Sequence, residues 1–89
     1  MVAGLTGMDI ERVRRSATEL LEAQAALADI EAKVALAVSN GSWIGPDAER
    51  ARRDFEEQRV ELREIGKWLN ATGRRMQQNA ADQETASNA

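Results

Sequence analysis

Fifteen carboxylates and twelve basic side chains are the only ionisable side chains in this chain of 89 residues, which has no cysteine, no histidine and no tyrosine. Without cysteine there is no disulfide and no thiolate metal site. Without histidine the commonest general base and metal ligand are both missing. Carboxylates spread along helices invite comparison with a di-metal bundle. Such sites need Glu-x-x-His on inward faces, and here the apolar stripes carry only isolated polar residues. Asn70-Ala71-Thr72 spells a glycosylation acceptor but falls inside a predicted helix. The pairs Arg14-Arg15, Arg52-Arg53 and Arg74-Arg75 could be drawn as a basic patch. Adjacent residues on a helix point about 100° apart and most of these arginines have acidic neighbours within a turn. They read as solvated faces. A net charge of −3 with both signs interspersed argues against a nucleic-acid groove or an anionic membrane as main partner. No residue set supports an enzyme, and no catalytic, cofactor or metal site is expected.

The chemistry left to the chain is binding, and the candidate for it is the central stretch Ser39-Asn40-Gly41-Ser42-Trp43-Ile44-Gly45-Pro46-Asp47. It holds the only proline, two of six glycines and one of two tryptophans. Breakers this dense between two periodic segments mark a turn. Asn40-Gly41 suits a helix C-terminus closed by a left-handed residue. Pro46 suits the first turn of the next helix, where Asp47 and Glu49 place negative charge at the positive pole. Trp43 is not explained by turn chemistry. A large aromatic in a polar loop needs somewhere to pack or something to meet.

Two helices must carry that turn. Apolar positions Ile10, Val13, Ala17, Leu20, Leu27, Ile30, Val34 and Val38 make one helical face. Gln24 lies on the same stripe, and Leu21, Ala28 and Leu36 widen it. The predicted first helix spans about 9–39. Thr6 and Asp9 resemble a capping box, with Asp9 alone as the other candidate cap. In the second half Ala48, Ala51, Phe55, Gln58, Leu62, Ile65, Leu69, Thr72 and Met76 alternate three and four apart, a heptad-like seam. The predicted second helix spans about 47–79, with Arg74 and Arg75 suiting its negative pole. The wet faces carry i,i+4 pairs: Glu11–Arg15, Arg15–Glu19, Asp29–Lys33, Arg50–Asp54, Arg52–Glu56 and Arg53–Glu57. Residues 80–89 lack large apolar side chains and read as a flexible tail, although their alanines could add a turn or two of helix.

The expected fold is all-α: one domain over 1–89, an antiparallel helical hairpin with its turn at 40–46. A hairpin alone buries one stripe per helix, too little for a stable core. Its expected completion is dimerisation into a four-helix bundle. Leu20, Leu27, Val34, Phe55, Leu62, Ile65, Trp68, Leu69 and Met76 are the candidate hairpin or dimer core. Trp68, beside the seam, is the best single dimer contact, since interfaces favour tryptophan at buried centres. Gly66 and Gly73, seven apart on one stripe, suggest close approach of another helix. No apolar run is long enough to span a bilayer. The first seven residues lack the basic region and apolar core of a Sec-type leader.

Two amphipathic helices joined by a central Trp43-Ile44-Gly45 turn resemble the WXG family, the small ESAT-like substrates of bacterial type VII secretion. The resemblance covers nearly the whole chain by architecture and rests on Trp43, Gly45, Ala48 and Phe55. It implies a leaderless secreted or cell-surface protein, cytoplasmic before export, that acts by pairing with itself or a related WXG-like chain and by docking on the secretion ATPase or other machinery. Trp43 and Gly45 would form the docking turn, the indole also plugging one end of the bundle. The family's tail signal, a tyrosine followed four residues later by an acidic residue, is half absent. Ala80 stands four before Glu84, and Asp82 and Glu84 supply the acidic component alone. Under the resemblance, a partner with an intact tail would carry the chain out. The rival reading is a non-exported helical adaptor, a chaperone-like partner of a larger secreted protein. A free-standing coiled-coil scaffold is a third.

Overall fold

The computed structural model describes residues 7–88. Two helices pack side by side: α1, Gly7–Val38, and α2, Pro46–Asn88. The chain is a rod with extents of 65 × 18 × 14 Å. The expected antiparallel hairpin is therefore present. Thr6 lies outside the described residues. Asp9 sits in the first turn of α1 and is not its cap.

Helix α2 does not stop near residue 79. It runs 43 residues, so it is 11 residues longer than the 32 of α1. The stretch expected as a tail is helical as far as Asn88, and Ala80 is fully buried. Alanine has the strongest helix preference, and small residues let two helices approach closely. Residues 80–88 thus continue α2 against the start of α1. Arg74 and Arg75 consequently lie well inside α2, whose last turn has no basic residue.

The contact seam is made largely of small residues. Ala17, Ala48 and Ala80 have no exposed surface, Ile10 and Phe55 are buried, and Gly73 is buried beside them. A methyl group on Gly73 would stand 3.0 Å from two carbons of Leu21 and 3.2 Å from the Ala17 carbonyl oxygen. The close approach expected of the two glycines is real at Gly73. At Gly66 an added methyl meets nothing within 4 Å.

The phase of the seam differs from the expected one by one residue per heptad. In α2 the inward positions after Phe55 are Arg59, Leu62, Gly66, Leu69, Gly73, Met76 and Ala80. Gln58 and Ile65 are exposed instead, Ile65 by half. In α1 Glu31, Ala35 and Val38 face α2, while Ile30 and Val34 look outward. Glycine and arginine at seam positions are invisible to a search for apolar periodicity. The isoleucine and threonine beside them drew the expected stripe one residue away.

A polar layer crosses the middle of this seam. Glu31 Oε1 accepts from Arg59 Nε at 2.6 Å and Arg63 Nε at 3.0 Å. Arg59 also lies over the Phe55 ring, 5.4 Å from its centroid. The Arg59 hydrogen bond holds the Glu31 carboxyl below its ordinary value. A charged layer of this kind costs desolvation but penalises slipped registers that break it.

Of the expected local ion pairs, Asp29–Lys33 forms at 2.9 Å. Glu11 pairs with Arg14 in place of Arg15, also at 2.9 Å. Among the described residues, Arg15–Glu19, Arg50–Asp54, Arg52–Glu56 and Arg53–Glu57 do not close. Exposed pairs of long side chains gain too little to hold one geometry.

Candidate functional site

The turn between α1 and α2 comprises residues 39–45, and its polar groups are satisfied by a compact set of bonds. Asn40 Oδ1 accepts from the Ser42 amide at 3.0 Å and the Ser42 hydroxyl at 2.7 Å. This side-chain mimic of a turn is what asparagine does best. The Trp43 amide donates to the Asn40 carbonyl at 3.0 Å. Neither Asn40 nor Gly41 is left-handed. The one positive-φ residue among those described is Gly45, at φ 106°. An L side chain rarely adopts that value. Gly45 also accepts the first helical bond of α2, from the Glu49 amide at 3.1 Å, with Pro46 following as the first helical residue. The glycine of Trp-x-Gly therefore has a stated physical role. It swings the chain through a left-handed residue into the proline that starts α2.

Arg52 closes the arrangement from the next helix. Its Nε donates to the Val38 carbonyl at 2.6 Å, and one terminal nitrogen reaches the carbonyls of Trp43 at 2.6 Å and Asn40 at 3.3 Å. Helix α1 has no basic residue in its own last turn. The orphan carbonyl of its C-terminus is met from across the hairpin. Both backbone groups of Trp43 are thus tied down while the residue stays 41% exposed. Ile44 beside it is 80% exposed. Sequence reasoning placed Arg52 on a wet face and paired it with Glu56. The available signal was positional: a basic residue one turn into α2, four after the buried Ala48, faces back towards the turn.

The acidic tail residues are elsewhere, at the opposite end of the rod. Glu84 forms an ion pair with Arg14, which raises the Arg14 guanidinium above its ordinary value, and Asp82 accepts from Gln78 Nε2 at 2.8 Å. The chain does not itself bring Trp43 and Glu84 together. Of the candidate core residues, Phe55 is buried, and Leu20, Leu27, Leu62, Leu69 and Met76 are half-buried. Val34, Ile65 and Trp68 are 37%, 50% and 61% exposed, so they do not belong to the hairpin's own seam. A shallow groove of about 320 Å³ opens where Gly66 leaves space, beside Leu27, Leu62 and Arg63. Gln24, Lys67 and Asn70 line it together with Glu31. Among the described residues no three metal-ligating side chains converge, and no helix is long and apolar enough to cross a membrane.

Comparison of the chain with protein-family models, curated proteins and solved structures returned no match.

Proposed function

We propose that this chain is a WXG-type protein without catalytic activity, a substrate or co-substrate of a type VII secretion system. It would act through helical dimerisation, with itself or a related WXG-like chain, and through docking of its turn on the secretion ATPase or associated machinery. The observation that supports this reading best is the Trp43 turn. Its backbone is held by Asn40, Gly45 and Arg52 while Trp43 remains 41% exposed. Ordering the backbone in advance lowers the entropy cost of docking, and an exposed tryptophan on such a mount is a strong anchor. The dimerisation part is supported by a thin core. Among the described residues no large side chain is fully buried, and eight large apolar residues are exposed.

The reading places the protein in the cytoplasm first and outside the cell after export. Expression in a cell with and without the type VII ATPase tests it. Accumulation outside only when the ATPase and the natural partner are present is the expected result. Retention inside under those conditions would instead favour a helical adaptor that serves a larger secreted protein. The adaptor reading has one observation of its own: Glu84 pairs with Arg14 of the same hairpin.

A further inference from the structure

Each helix carries a second stripe, lying roughly 40–100° of rotation before its packed seam. In α1 it reads Val13, Ser16, Leu20, Ala23, Leu27, Ile30, Val34, Ala37, and it has no charge over its whole length. In α2 it reads Gln58, Glu61, Ile65, Trp68, Thr72, Arg75. Because α2 runs opposite to α1, the common sense of rotation brings both stripes to one side of the rod. Seam neighbours Ala17 with Gly73, Glu31 with Arg59, and Val38 with Arg52 set the register. That register puts Trp68 level with Glu22 and within one residue of Ala23. The side so formed includes Ile30, Val34, Ile65 and Trp68, all exposed.

The pattern is symmetric about that level. Leu20 and Leu27 flank Ala23. Glu61 and Arg75 lie seven residues either side of Trp68, about 10 Å each way. Neither Glu61 nor Arg75 has an ion-pair partner among the described residues. The chain also exposes 6689 Å², about 1,500 Å² more than a compact monomer of its 9.8 kDa would show. A standard interface hides roughly 800 Å² per partner.

We propose that the occupant of this face is a second copy of the chain, related by a two-fold axis that lies between the copies, at right angles to the helices, at the level of Trp68 and Ala23. Each α2 then runs antiparallel to its counterpart. Trp68 meets itself across the axis, and Glu61 of each copy faces Arg75 of the other, twice. A self-complementary patch is what a closed two-fold contact requires, and a slip of one heptad would part both Glu61–Arg75 pairs and leave Glu61 facing Trp68. The proposal rests on the dimerisation in the preceding reading and is independent of export.

The chain has no cysteine, so single cysteines report geometry directly. Trp68→Cys, exposed in the hairpin, is expected to form a 68–68 disulfide on mild oxidation. Val60→Cys, on the opposite side, is expected to form none. Light scattering should give twice the chain mass for the wild type. E61R and R75E should each weaken dimerisation on the order of tenfold, and E61R/R75E together should restore it. A dimer that cross-links through residue 60 or not through 68, or that the double reversal fails to rescue, overturns this axis and leaves dimerisation standing. A helical monomer at micromolar concentration overturns the second copy as occupant and turns the search to a related chain.

Discussion

At the residue scale, three glycines stand in three different surroundings and substitution separates them. Gly45 is left-handed, with open space where a side chain would go. Gly45→Ala should cost backbone strain alone, about 1–2 kcal/mol, seen as a lower Tm with helicity retained at low temperature. Gly73→Ala would gain helix propensity but drive a methyl to within 3.0 Å of Leu21. It should destabilise. Gly66→Ala meets nothing and should stabilise by up to about 1 kcal/mol. Thermal unfolding of the three variants gives two signs down and one up, and any other ordering contradicts the seam described here. Arg52→Ala removes donors from three carbonyls. It should lower stability by about 1–2 kcal/mol and raise hydrogen exchange at the Trp43 amide, whereas Glu56→Ala should do neither.

At the scale of elements, the Glu31 layer makes the hairpin sensitive to acid. Its carboxyl is held below the ordinary value by the Arg59 hydrogen bond first, with Arg63 adding to the same effect against some desolvation. A depressed carboxylate stabilises the fold above its unfolded-state pKa and loses that contribution as pH falls through the folded value. The Tm of wild type should therefore exceed that of Glu31→Gln at neutral pH, and the gap should narrow as pH falls below the ordinary glutamate range and close below the depressed folded value. A gap that persists at pH 2 would mean that packing, not charge, distinguishes them. The second element-scale expectation concerns residues 80–88. Their amides should exchange slowly up to about Ala81, because Ala80 is buried against α1.

Helix, turn and antiparallel pairing were legible in the sequence because they follow from local periodicity and breakers. The exact seam was not. Gly73 belongs to it through close helix approach, Arg59 through a part-exposed ion layer and Gly66 by position alone, none of which registers as hydrophobic. The left-handed residue of the turn was assigned to Asn40-Gly41 on composition, but the Asn40 side chain closes the first bend itself and leaves Gly45 to make the second. The length of α2 was missed because alanine and glutamine carry no stripe, although they carry helix propensity.

For the whole molecule, the proposed function is docking from a held turn rather than chemistry. A rod with a buried core of alanines and a few larger residues leaves apolar side chains exposed along much of its length. The Trp43 end and the Glu84 end stand at opposite poles of the hairpin, so a signal that combines a turn with a tail needs two chains lying antiparallel. The most direct test is export of Trp43→Ala in cells that contain the type VII ATPase, with far-UV circular dichroism of the purified variant beside it. The account predicts a variant as helical as wild type that stays inside the cell. A helical variant exported as well as wild type would contradict the docking role of the turn.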